Sequence, residues 1–128
     1  MVSIGDTETL GIRKGELVRL FDNSDDPAGN ITYSMSQEDA YKHLRVTILD
    51  SKELDGILLC TDGLSSPYQS YDNFLKSFIR PMVNKVLSTK SIASIDKYID
   101  SVALYLGTGD DVSLSFILND KTSINFYK

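Results

Sequence analysis

Gly56-Ile57-Leu58-Leu59-Cys60-Thr61-Asp62-Gly63-Leu64 is an apolar run that closes on a carboxylate and a glycine. Its length and apolar character read as a buried strand over residues 56–61. A carboxylate at the end of a buried strand is held rigidly by the sheet, and Gly63 permits a sharp turn that leaves Asp62 exposed. Taken alone, Asp-Gly is also an ordinary turn. What Asp62 means therefore depends on what the rest of the chain builds around it.

Upstream, residues 45–49 form a second apolar run, and the charged stretch 50–55 between the two is turn-like, so the pair reads as a hairpin. Residues 10–13 and 16–21 flank Lys14-Gly15 and read as an earlier hairpin. Residues 22–30 are rich in Asp, Asn, Ser, Pro and Gly, a loop composition. Ser36 with Asp39 opens a short helix running to Leu44.

Downstream, Phe74, Leu75, Phe78, Ile79, Met82, Val83 and Val86 recur at spacings of three and four, which makes one apolar helix stripe. Pro81 falls inside that stripe and predicts a kink or break near Arg80. Ile92, Ile95, Ile99, Val102, Ala103 and Leu106 repeat the pattern over residues 91–106, and Gly107-Thr108-Gly109 ends it. Val112, Leu114, Phe116 and Leu118 alternate with other residues as a terminal strand does. The expected fold is α+β: an antiparallel sheet layer built from residues 10–21, 45–49, 56–61 and 112–118, with two helices covering one face. The opening Ser3-Ile4-Gly5-Asp6 looks like the end of a strand, as in a domain lacking an N-terminal partner.

Composition narrows the chemistry. The 128 residues make one domain, expected to span 1–128. Hydrophobic residues at 41% and charged residues at 24% describe a globular chain. Thirteen basic against 18 acidic residues leave a net charge of −5, which argues against a nucleic-acid platform and against a polybasic membrane anchor. No apolar run approaches the roughly 20 residues of a spanning helix, and no leader pattern opens the chain. The expected setting is a reducing cytoplasm. One cysteine and one histidine exclude disulfide frameworks and multi-Cys or multi-His metal sites. Metal chemistry would rest on carboxylates and hard cations.

Cys60 has no evident base or positive field and reads as a buried structural residue. His43 reads as an exposed helix position, and Arg13, Lys14 and Arg19 as a solvated basic edge of the first hairpin. The seven tyrosines are scattered and form no platform. The candidate site residues are acidic. Asp110-Asp111 stand between the last helix and the last strand, where two adjacent like charges are easier to keep when a cation is near. Asp6 follows Gly5 near the start. Each of these has an ordinary loop or turn reading when taken alone.

Taken in order, these pieces resemble the C-terminal half of the metal-dependent type 2C serine/threonine protein phosphatases. Thr61-Asp62-Gly63 is similar to that family's Ser/Thr-Asp-Gly motif. Asp110-Asp111-Val112-Ser113 is similar to its Asp-Asn-Val/Ile-Thr motif. Ile4-Gly5-Asp6-Thr7 looks like its Val-Gly-Asp-Ser motif, with the Gly15-Glu16-Leu17 hairpin following as expected. The resemblance implies half of an αββα sandwich and a magnesium or manganese centre whose activated water attacks phosphoserine or phosphothreonine. It implies that Asp62 and Asp110 share one ion, that Asp6 lies near a further, labile one, and that Gly63 and Asp111 are neighbours of the metals. No catalytic side chain is assigned.

The departures are as informative. The family's Asp-Gly-x-Gly-Gly motif, which bridges both metals, and its phosphate-binding arginine are absent from the 128 residues. Ser66 replaces a further aspartate, and Glu8 stands where an arginine commonly follows. The expected function is a phosphatase portion that is inactive alone, with a phosphoprotein substrate or a separate N-terminal half-domain as partner. The alternative is a non-catalytic phosphatase-like binding or regulatory domain. A sheet layer with one uncovered face also predicts self-association.

Overall fold

The structure is a computed structural model that describes residues 1–21, 33–93, 95–105 and 111–119. β2 (Glu8–Arg13) and β3 (Glu16–Arg19) form the first hairpin, with Leu10 opposite Arg19 and Ile12 opposite Leu17. Lys14 and Gly15 both take left-handed conformations (φ 52° and 80°), the two-residue turn whose twist matches the strands. β2 pairs on its other side with β5 (Gly56–Cys60), and β5 pairs with β6 (Leu114–Leu118). The sheet order is β3-β2-β5-β6, antiparallel throughout. Both central strands are the ones whose apolar residues bury most fully. Loop residues 22–30, expected from composition, and the Gly107-Thr108-Gly109 helix end lie outside the described residues.

Residues 45–49 do not form a hairpin with β5. Instead β4 (Arg45–Val46) pairs with β1 (Val2–Ser3) as a separate two-stranded ribbon, extended by Thr47 N–H to Met1 O at 3.0 Å. The reason is competition for edges. Both sides of β5 are taken by five-residue ladders to β2 and β6, so no hydrogen-bonding edge is left for the upstream run. The intervening residues turn away through a 3₁₀ turn (Ser51–Glu53), where the Asp50 carboxylate accepts from Lys52 N–H.

One face of the sheet is covered by helices. After α1 (Asp62–Ser65), a continuous helix runs through α2 (Tyr71–Phe74), a wide π turn (Leu75–Ile79) and α3 (Arg80–Thr89). The Ser70 hydroxyl accepts from Asn73 N–H and starts it. Pro81 neither breaks nor ends this helix. The π turn closes with Arg80 N–H on Leu75 O, five residues back, directly before the proline. Proline has no N–H to donate and its ring crowds the preceding turn, so a widened turn takes up the misfit that otherwise kinks a helix.

α4 (Ile95–Tyr105) begins later than its apolar pattern predicts. Ser91-Ile92-Ala93 form a turn in which the Ser91 hydroxyl accepts from Ala93 N–H, and Ile92 is left 67% exposed. Ser36 does not open an α-helix either. Turns there lead to a single 3₁₀ segment (Ala40–His43) that buries only Ala40.

Leu10, Ile12, Leu58 and Cys60 point from the central strands into one core with Leu64, Phe74, Phe78, Ile79, Met82, Val83, Val86, Ile95 and Val102. Phe74 and Phe78 stack with centroids 6.0 Å apart, and Tyr98 meets Phe78 edge-on. The edge strands add Leu17, Leu114, Phe116 and Leu118. The expected α+β layer, an antiparallel sheet with helices on one face, is therefore the observed architecture, with residues 45–49 removed from it.

Candidate metal centre at one end of the sheet

The register decides which residues meet. Glu8 lies opposite Cys60, and Cys60 opposite Leu114. Asp6 is two residues before Glu8, Asp62 is two residues after Cys60, and Val112 is two residues before Leu114. The segments carrying all three sequence motifs thus leave the sheet at the same end. This follows from antiparallel pairing: the C-terminal end of β5 sits beside the N-terminal ends of both its neighbours.

Thr61 ties two of these segments together. Its N–H donates to Ser113 O at 3.1 Å, its hydroxyl donates to Asp111 O at 3.0 Å, and the same oxygen accepts from Ser113 N–H at 3.0 Å. The ladder between β5 and β6 is thereby continued by one side chain, and the backbone of Asp111 is fixed beside Asp62. Asp62 then opens α1, its carbonyl accepting from Ser66 N–H at 2.7 Å and from the Ser65 hydroxyl. Asp62 is exposed as expected, but Gly63 does not make the sharp turn its sequence suggested. It is buried within that first helical turn, and its φ is not positive.

The glycine that takes a left-handed φ here is Gly5, at 82°. It bends the chain between β1 and Asp6, a conformation other residues adopt only with strain. The Arg45 guanidinium donates to Gly5 O at 2.6 Å and to the Ser3 hydroxyl at 3.2 Å, which pins that bend. Nothing local in the sequence marked Arg45, because its partners lie about 40 residues away.

Asp6, Asp62 and Asp111 are all exposed. Asp110, expected to share an ion with Asp62, lies outside the described residues. The donors present are carboxylates, hydroxyls and backbone carbonyls on strand ends, a chemistry that suits magnesium or manganese. Among the described residues, however, no three His, Cys, Asp or Glu side chains gather closely enough to hold an ion. The described residues therefore fit such a metal in donor type, without forming a three-ligand group among themselves.

Behind the strand ends lies a buried polar cluster. Glu8 is 8% exposed and receives Arg19 in a two-pronged pair, Nη2 to Oε1 at 2.8 Å and Nε to Oε2 at 3.2 Å. Burial raises the Glu8 carboxyl above its usual range, and the Arg19 charge opposes that rise without cancelling it. The Arg19 guanidinium also lies 3.8 Å over the Tyr71 ring. The hairpin edge is solvent-facing as its sequence suggests, with Lys14 exposed and Arg13 paired to the exposed Glu53 at 3.3 Å, but the Arg19 guanidinium is also engaged by Glu8 and Tyr71.

Cys60 is buried, and its thiol is pushed up to about 12 by burial, then by Glu8 and Asp62. It stays a neutral thiol at neutral pH, which excludes it as a nucleophile. His43 is half-buried rather than exposed. Its ring stacks on Tyr33 with centroids 3.5 Å apart, and Nε2 lies 3.7 Å from Asp39.

Among the described residues no helix is long and apolar enough to cross a membrane. A family model described as protein phosphatase 2C matches residues 1–100. No curated protein and no solved structure matches the chain.

Proposed function

The chain belongs to the protein phosphatase 2C family, and from that premise we propose that it supplies part of the metal centre of a serine/threonine phosphatase and is a very poor catalyst alone. The observation that carries this reading is the Thr61 hydrogen-bond set, which brings Asp62 and the Asp111 segment to one sheet end where Asp6 also emerges. The family is generally metal-dependent. Bound at such a site, magnesium or manganese supplies an activated water for attack at phosphorus.

In this reading Asp62 and Asp110 hold the ion, Asp6 faces a more labile one, and Gly63 and Asp111 flank them. Strand-end attachment keeps Asp62 in place without a reorganisation cost. The weakness alone follows from ligand number. A divalent ion with few protein ligands keeps most of its waters and binds weakly. A loosely held ion cannot align a nucleophile with phosphorus, so positioning and activation are both lost. A segment carrying Asp-Gly-x-Gly-Gly is the partner that would complete the site, with a phosphoprotein as substrate. A cytoplasmic setting suits such a substrate.

A second reading is favoured by one observation: no group of three ligating side chains forms among the described residues. On it, the chain is a non-catalytic phosphatase-like binding domain. The discriminating experiment is hydrolysis of a phosphothreonine peptide with millimolar manganese, with and without a fragment carrying Asp-Gly-x-Gly-Gly. Turnover only with the fragment, lost in Asp62→Asn, supports the incomplete-site reading. Robust turnover by the chain alone overturns the claim of weakness. No turnover in either arm and no manganese heat in calorimetry hands the case to the binding domain.

A further inference from the structure

Between Asp72 and Asp96 the sequence has no acidic residue and carries Lys76, Arg80, Lys85 and Lys90, on a chain whose net charge is −5. Of these four, Lys85 lines a groove, and a second lysine there, Lys97, lies just past the stretch, between Asp96 and Asp100. The fold gives the stretch a shape. The last turns of α3 and the start of α4 enclose an open groove of about 660 Å³, in the size range of small-ligand clefts.

Lys85 reaches it from α3 and Lys97 from α4, two side chains from separate elements facing one space. Among the described residues neither lysine forms an ion pair, whereas Lys76 is held by Asp72. The hydroxyls of Thr89 and Ser101 donate to the carbonyls of Lys85 and Tyr98, both at 2.7 Å, so their protons are directed into the helices. The charged donors left to the groove are the two ammonium groups. Tyr98, braced edge-on by Phe78, also lines the groove.

We infer that this groove binds a phosphomonoester or similar dianion, at a locus separate from the strand-end aspartates. Two ammonium groups from separate helices match a dianion better than a single charge, since each negative oxygen can gain its own charge-assisted contact. The aromatic wall accommodates the organic part that carries it. The lining comes from α3, the turn after it and α4, and includes none of the strand-end residues Asp6, Asp62 and Asp111.

The test is amide NMR of the ¹⁵N-labelled chain titrated with O-phosphoserine in EDTA at constant ionic strength, with serine as the uncharged control. Saturable shifts at Thr89, Ala93 and Lys97 are expected. They should weaken by roughly tenfold or more in the double variant Lys85→Gln/Lys97→Gln and persist in Asp62→Asn. Both lysines are exposed, so the double variant keeps its fold, which circular dichroism verifies. Shifts that serine reproduces, that survive in the double variant, or that gather at Asp6 and Asp62 instead overturn the inference. EDTA removes the metal, so these outcomes do not depend on the phosphatase reading.

Discussion

Replacing Arg19 with methionine tests the buried cluster behind the candidate site. Methionine keeps most of the stem that packs on Tyr71 and removes the charge that faces Glu8. Breaking a fully buried pair by removing one partner costs about 3–5 kcal/mol, because the other charge is left uncompensated. Glu8 meets that description, with its side chain 9% exposed, but Arg19 is 31% exposed and partly wet. The expected loss at pH 7 is therefore at the low end, about 2–3 kcal/mol.

The loss should depend on pH in a definite direction. Glu8 already has its carboxyl raised in the folded state, and without Arg19 the main opposing influence disappears, so it rises further. An acid that binds its proton more tightly when folded penalises folding above its folded-state pKa, and that penalty fades as pH falls toward the unfolded value of 4.5. Protonated Glu8 no longer needs the guanidinium. Urea unfolding followed by far-ultraviolet circular dichroism reads the effect. With a slope of about 2 kcal/mol/M, the midpoint should drop by about 1 M at pH 7 and by clearly less at pH 5. Glu8→Gln in the same background should recover most of the loss at pH 7. A pH-independent loss, or no recovery in the double variant, would refute the charge argument and reassign Arg19 to packing alone.

Thr61→Val keeps the side-chain shape and deletes both hydroxyl bonds to the Asp111 segment. It should destabilise by about 1–2 kcal/mol and raise hydrogen exchange at Ser113 N–H, while Thr61→Ser, which keeps the hydroxyl, stays near wild type. Gly56→Ala and Gly11→Ala should differ in thermal melting. A Cβ at Gly56 would lie 3.0 Å from the Ile117 carbonyl oxygen, which the ladder holds in place, whereas at Gly11 the nearest atoms are the ends of the Leu20 and Leu54 side chains. The first should cost about 2 kcal/mol or more and the second about 1 kcal/mol; equal losses would show that the Ile117 backbone can yield.

Much of the fold could be read from local periodicity. Ile57 to Cys60, the alternation from Leu114 to Leu118, the Lys14-Gly15 turn and the stripe from Phe74 to Val86 each carry their own evidence, because strand and helix periods are properties of a short stretch. The position of one candidate residue was legible in the same way. Thr61-Asp62-Gly63 announced a strand ending on a carboxylate, and its neighbours in sequence announced that Cys60 is buried.

What no local pattern held was the choice of partner. Residues 45–49 look like strand material wherever they go. Of these, Arg45 and Val46 pair with β1, because β2 and β6 occupy both edges of β5, and edge occupancy is a property of the assembled sheet. Arg19 read as part of a solvated edge in sequence, and Arg45 only as the start of an apolar run. Only the folded chain brings Arg19 to Glu8 across a hairpin and Arg45 to Gly5 across about 40 residues. Composition and periodicity therefore determined most of the strands and helices and the position of Asp62 just past the end of β5. Tertiary structure decided which of those ends meet, because hydrogen-bonding edges and buried charges are satisfied by whichever groups the whole chain brings within reach.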